Sequence, residues 1–175
     1  DRMNRMMQEL LDFSRGEVKL NHSECNIEEF TSSVARSVDL DMQRKEIKFV
    51  AEPAFKGTAW VDRDRLQRAI VNILSNSEDA TPKGGEVHLT TSSDDGLLIF
   101  SIRDSGNGIP EEVRHRVFEP FVTYGKSRGT GLGLAITKRI VEQHFGEIHF
   151  ETEQGKGTTF LIKIPLRPPS LKWVA

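Results

Sequence analysis

The stretch Glu86–Asp104, EVHLTTSSDDGLLIFSIRD, contains two alternating runs, EVHLTTSS and LLIFSIRD, on either side of a DDG turn. Alternation with period two sends every second side chain to one face, and an Asp-Gly turn reverses the chain. The segment therefore reads as an antiparallel hairpin. It ends on Asp104 and runs into SGNGIP, which places Gly106 and Gly108 directly after the strand.

The covering elements lie on either side in the chain. Upstream, NIEEFTSSVARSVDLDMQRKEI carries Ile27, Phe30, Val34, Val38 and Met42 at helical spacing behind Asn26, a good N-cap. IKFVAE then reads as a strand, Pro53 to Thr58 as a turn, and Asp62 as the cap of a helix running to about Ala80, where PKGG stops it. Downstream, GLGLAITKRIVEQHF is helical, and EIHFETE and TTFLIKIPL form two closing strands around QGKG. Three main helices and about five strands give an α+β protein, a two-layer α/β sandwich with one mixed sheet covered by helices on one face.

The first segment, DRMNRMMQELLDFSRGE, repeats Met3, Met6, Leu10 and Phe13 at three- and four-residue intervals. That is the seam of a short coiled-coil helix packing on a partner helix, or of an amphipathic helix lying on its own domain. The expected organisation is a helix over 1–16, the main domain over 17–167 and a Pro-rich tail over 168–175.

The chain has 175 residues, 37% hydrophobic and 29% charged, with a net charge of −2. This fits one domain with a real core and gives no general attraction to nucleic acid. The single cysteine, Cys25, excludes an internal disulfide. With no apolar run of about 18 residues and no signal peptide, a cytoplasmic setting without membrane contact by this fragment is expected. Because the chain begins at Asp1, it is expected to be a fragment or processed form whose parent can still be membrane-anchored.

Winding residues 62–80 as a helix puts Leu66, Ile70, Ile73, Leu74 and Ser77 on one side, while Asn72, Asn76 and Asp79 fall within about 40° of one another. A carboxamide oxygen can ligate Mg²⁺ and its NH₂ can donate to a phosphate; a plain solvated face is the alternative. After the hairpin, an inward Asp104 carboxylate can accept from the exocyclic amine of adenine, or simply form an Asx turn. SRGTGLGLAITKRI offers Gly129, Gly131 and Gly133 ahead of a helix, a phosphate seat or a hinge. Between these segments VFEPFVTYGKSRG supplies Phe118 and Phe121 as loop anchors and Lys126 and Arg128 as cations. G-x-G-x-x-G fails here because position 134 is Leu134, and a P-loop fails because Pro120 stands five before Gly125.

Together these segments resemble the ATP-binding domain of sensor histidine kinases, in the wider family shared with gyrase-type topoisomerases, heat-shock-90 chaperones and MutL proteins. NILSN looks like the N box, DSGNG the first glycine box, FEPF the F box, GTGLGL the second glycine box and GKGTTF the third. MQELLDFSR looks like the end of the dimerisation helix that precedes such domains. The resemblance implies a Bergerat-type fold with ATP and Mg²⁺ as cofactors.

By that resemblance Asn76 is the metal ligand, Asn72 sits beside the phosphates, and Asp104 accepts from adenine in a pocket shaped by Gly106, Gly108 and Ile109. Gly129, Thr130, Gly131, Leu132 and Gly133 line the phosphates under a lid from about Val122 to Arg128. That lid includes Tyr124, with Lys126 or Arg128 as the closing cation. Thr158 or Thr159 faces the adenine, and Asp79 adds a further contact as in boxes that read NAxDA. Asn72, Lys126 and Arg128 form the catalytic set. Ser77 replaces the usual alanine as a small core residue, and Glu78 is expected to be exposed.

Gyrase-type hydrolases carry glutamate where Asn72 stands, because water attack needs a general base. An amide cannot take that proton. The implied function is a protein-histidine kinase that passes the γ-phosphoryl group to a histidine on a dimerisation domain of a homodimeric parent, then to the aspartate of a response regulator. Alternatives are a gyrase- or heat-shock-90-like ATPase and a nucleotide-binding pseudokinase relay. His22, His88, His115, His144 and His149 lack the context of a phosphoacceptor and read as surface or satisfied residues.

Overall fold

The structure, a computed structural model, describes residues 20–123 and 130–169. The helix expected over 1–16, most of the tail expected over 168–175, and segment 124–129 lie outside the described residues.

The elements run β1 (Ser23–Asn26), α1 (Ile27–Arg44), β2 (Lys48–Pro53), β3 (Thr58–Val61), α2 (Arg63–Ala80), β4 (Glu86–Asp94) and β5 (Leu97–Asp104). They continue with α3 (Glu111–Arg114), α4 (Gly133–Gln143), β6 (Glu147–Glu153) and β7 (Gly157–Pro165). The long helices start where capping chemistry places them. Asn26 Oδ1 accepts from Glu29 N–H at 3.0 Å and Asp62 Oδ1 from Arg65 N–H at 3.2 Å, each satisfying an amide that has no partner inside the first turn. The β4–β5 turn is the expected tight one: Asp95 and Gly96 both have positive φ, 46° and 76°, matching the twist of the strands it joins.

Five strands form one mixed sheet in the order β2-β4-β5-β7-β6, with β2 parallel to β4 and every other pair antiparallel. Register fixes one apolar face: Leu89 lies opposite Ile102 and Ile102 opposite Phe160, while Phe100 lies opposite Ile162. All of these are buried, together with Ile27, Phe30, Val34 and Met42 of α1 and Leu66, Ile70, Ile73 and Leu74 of α2. The layers meet edge to face where Phe30 approaches Phe100 with ring centroids 5.9 Å apart. Each fully buried aromatic or aliphatic side chain of this kind contributes about 1.5–3 kcal/mol. This is the expected two-layer sandwich.

One piece differs from the sequence expectation. β1 and β3 pair antiparallel as a separate two-stranded ribbon, Ser23 opposite Val61, in addition to the strands that the sequence predicts. Four residues per strand are too few for alternation to be visible, and the pairing spans a whole helix in sequence. Among the described residues no helix is long and apolar enough to cross a membrane.

Candidate functional site

The end row of the sheet's buried face carries polar residues instead of aliphatic ones. Asp104 closes β5 opposite Thr158 of β7, and Thr158 stands opposite Thr152 of β6. Asp104 is only 3% exposed. Its Oδ1 accepts from the backbone N–H of Gly106 at 2.9 Å and of Thr158 at 3.1 Å, and its Oδ2 accepts from Ser77 Oγ at 3.2 Å. Burial pushes the Asp104 carboxyl above the usual carboxylate range, while those three donors pull it back toward ionisation. The result is a buried acceptor held by three donors.

The segment after Asp104 is laced to its surroundings. Asn107 N–H donates to Ala80 O at 3.2 Å, Gly155 N–H to Asn107 O at 2.9 Å, and Ile109 N–H to Thr152 Oγ1 at 2.8 Å. Gly108 has φ 71°, and a Cβ there would run into the carbonyl of Glu153. A Cβ on Gly106 would lie 2.6 Å from Ala80 O. These two positions exclude side chains because the β5 loop is pressed between the end of α2 and the β6–β7 turn.

On the other flank α2 meets the second glycine segment. Asn72 Nδ2 donates to Gly133 O at 3.3 Å, and Thr137 Oγ1 donates to the same carbonyl at 2.9 Å. Leu132, 1% exposed, anchors the start of α4 against Ala69, Ile136 and Ile140. Thr130 Oγ1 accepts from Leu132 N–H at 3.3 Å. Among the described residues no side chain caps the α4 N-terminus, where the first amides have no partner inside the helix. Asn72 and Ser77 are five residues apart, so the two glycine segments reach α2 about 7.5 Å apart along its axis. Asn76 lies between them.

The structure thus brings together Asn72, Asp104, Gly106, Gly108, Ile109, Thr130, Gly131, Leu132, Gly133 and Thr158, with Asn76 one helical turn after Asn72 on α2. Thr159 pairs with Arg103 and takes the opposite face of the sheet, so of the two threonines it is Thr158 that stands beside Asp104. Asp79 is turned to the surface, its carboxylate 3.0 Å from Lys45 Nζ. Glu78 is not merely exposed: its side chain is 15% accessible and shares Lys45 at 2.9 Å. Phe118 anchors as expected against Phe150, with centroids 5.9 Å apart, but the Phe121 ring is 64% exposed. Phe121 is held through its backbone, whose N–H donates to Gly131 O at 2.9 Å. Tyr124, Lys126, Arg128 and Gly129 lie outside the described residues.

Two contributors escaped the sequence reading. Ser77 was assigned to packing, yet its hydroxyl meets Asp104. Thr152 Oγ1 serves Ile109 N–H and lies 3.0 Å from Thr158 Oγ1. Only the strand register, which sets Thr152, Thr158 and Asp104 in one row, would have found it.

The amide oxygen of Asn76 has the donor chemistry that a magnesium nucleotide would need from the protein. Among the described residues no group of three or more His, Cys, Asp or Glu could hold a metal by itself. One amide oxygen, that of Asn76, is a sufficient protein ligand for Mg²⁺ only when phosphates and water supply the rest, the usual coordination of this ion.

Known proteins resemble this chain over most of its length. Residues 61–168 match the family model described as histidine kinase-, DNA gyrase B-, and HSP90-like ATPase. Sporulation kinase A of Bacillus subtilis (strain 168) is 30% identical over 94% of the chain. The chain spans 27% of that relative, and 25% of sporulation kinase C of the same organism. The catalytic domain of histidine kinase ThkA, 30% identical, superposes with a TM-score of 0.77 over 85% of this chain and 98% of that one. ThkA in complex with the response regulator protein TrrA gives 0.81 at 27% identity over 97% of this chain and 48% of that one. Full-length ShkA in complex with AMPPNP gives 0.85 at 29% identity over 93% and 35%.

Proposed function

The chain belongs to the histidine kinase-, DNA gyrase B-, and HSP90-like ATPase family, as a catalytic ATP-binding domain of the sensor histidine kinase kind, and from that premise we propose how its residues hold and use the nucleotide. The domain binds Mg·ATP and presents the γ-phosphoryl group to a histidine carried by a dimerisation domain of the parent protein. Asp104 Oδ2 accepts from the exocyclic amine of adenine, and Thr158 borders the base. Gly129 to Gly133 and the first amides of α4 face the phosphates, with Lys126 or Arg128 closing over them. Asn76 holds Mg²⁺ through its amide oxygen; the ion supplies charge neutralisation at the phosphates. A response regulator receiver domain then takes the phosphoryl group, a partnership supported by the ThkA–TrrA complex.

The observation that carries this reading is Asn72. It stands where α2 touches the phosphate-side loop, 3.3 Å from Gly133 O, and an amide there orients the loop without abstracting a proton from water. Rate enhancement then comes from positioning and charge stabilisation, as phosphoryl transfer requires.

Mixing the chain with Mg·ATP and a separately made histidine-bearing dimerisation domain should give acid-labile phosphate on histidine, lost with Asn76→Ala. Steady release of inorganic phosphate without histidine labelling, persisting in Asn72→Ala, would instead identify an ATPase.

A further inference from the structure

Ser77 lies on the buried face of α2 among Leu66, Ile70, Ile73 and Leu74, where packing alone does not need a hydroxyl. Mid-helix serines commonly turn back to a carbonyl one turn earlier. This one reaches Asp104 Oδ2 at 3.2 Å, with Ser77 1% and Asp104 3% exposed. A carboxylate only accepts, so the hydroxyl donates. Oδ1 is already taken by the amides of Gly106 and Thr158. Oδ2 is therefore the oxygen with capacity left for a ligand, and Ser77 is its side-chain donor among the described residues.

We propose that Ser77 is a positioning residue that fixes Asp104 Oδ2 as an acceptor and so sets the preference of the site for purines bearing an exocyclic amine at the 6-position. This rests on the assignment of Asp104 to the adenine amine. With alanine at 77, Oδ2 would sit in a desolvated row with no protein donor. Oδ1 would still be held by the Gly106 and Thr158 amides, but Oδ2 would be easier to protonate, and a protonated oxygen presents a hydrogen to the amine. The phosphate side of the site, bound to α2 through Asn72, would be untouched.

The test measures equilibrium binding of Mg·ATP and of the magnesium complex of purine riboside 5′-triphosphate, which lacks the amine. The proteins are the wild type, Ser77→Ala, Asp104→Asn and the double variant. Ser77→Ala should weaken ATP by about tenfold or more, the worth of a hydrogen bond to a charged group, while the analogue changes by less than about twofold. In the Asp104→Asn background, where an NH₂ replaces the accepting oxygen, the serine substitution should no longer distinguish the two ligands, because the discrimination runs through the one Ser77–Asp104 bond. Equal weakening of both ligands by Ser77→Ala would overturn the proposal, since loosened helix packing acts on both alike. An unchanged ATP affinity would overturn it as well. Wild-type protein that binds both ligands equally would remove the adenine assignment itself and the proposal with it, an outcome visible before any variant is made.

Discussion

Asp104 shows at the scale of one residue how a binding group costs stability. Burial displaces its carboxyl upward from the ordinary aspartate value of 3.8. A carboxyl whose folded value exceeds its unfolded one binds more protons in the folded state, so its contribution is most favourable at low pH and is lost as pH rises through the folded value. When ionised, this desolvated carboxylate is held in place by three donors. Asp104→Asn keeps an oxygen for the Gly106 and Thr158 amides and offers an NH₂ that Ser77 Oγ can accept, with no charge to bury. The expected outcome is a gain of about 1 kcal/mol in urea unfolding of the ligand-free protein, in line with other stability–function trade-offs. ATP affinity should fall at least about tenfold, because the amide presents a donor to the adenine amine. A variant that loses stability would mean that the carboxylate is better solvated than its 3% exposure indicates.

At the scale of elements, the glycines of one loop divide into two kinds. Gly131 has φ 70°, and an added Cβ would meet the backbone of Phe121. Gly133 opens α4 without a positive φ, and a Cβ there would lie 3.8 Å from Asn72 Cγ, an ordinary contact. Gly131→Ala should therefore destabilise the fold by about 1–3 kcal/mol, whereas Gly133→Ala should leave it unchanged or raise stability by up to about 1 kcal/mol through helix propensity. Denaturant melts of the two variants check this directly, and a phosphate-side defect in Gly133→Ala can then be read without a folding correction. The sequence carried much of this level. Asn26 and Asp62 announced their helices, Asp95-Gly96 its hairpin, and the wheel of α2 separated Leu66, Ile70 and Ile73 from Asn72 and Asn76. What it could not carry was contact between distant residues. The β1–β3 ribbon, the Asp104–Thr158–Thr152 row, the Ser77 bond and the outward Phe121 ring all depend on which strand lies beside which, and local periodicity does not encode that. Thr158 and Thr159 show the limit most plainly, since a register shift of one exchanges their faces.

At the scale of the whole molecule, the described chain enters beside the junction of two helices. Asn21 N–H donates to Asp62 Oδ2 at 2.9 Å, and the His22 ring stands edge-on to His144 with centroids 5.4 Å apart. His144 in turn joins the two helix ends: its Nε2 accepts from Asp62 N–H at 3.0 Å and its Nδ1 lies 2.8 Å from Ile140 O. An acceptor at Nε2 and a carbonyl at Nδ1 require the neutral Nδ1–H tautomer. Burial, chiefly, lowers its pKa from 6.5; Ile140 O and Asp62 oppose the shift, and His22 and Arg65 reinforce it. A histidine depressed in the fold takes its proton more readily when unfolded, so unfolded chains gain protons first as pH falls below 6.5. Stability should therefore be fully present above that pH and decline below it, with a slope from this residue of at most about 1.4 kcal/mol per pH unit. That is the opposite sign to Asp104. Urea midpoints at pH 7.5 and about 5.5 measure the decline, and His144→Gln, which cannot titrate, should flatten it. If the slope survives the substitution, another group titrates in that window, and the helix junction is not where acid acts on this fold.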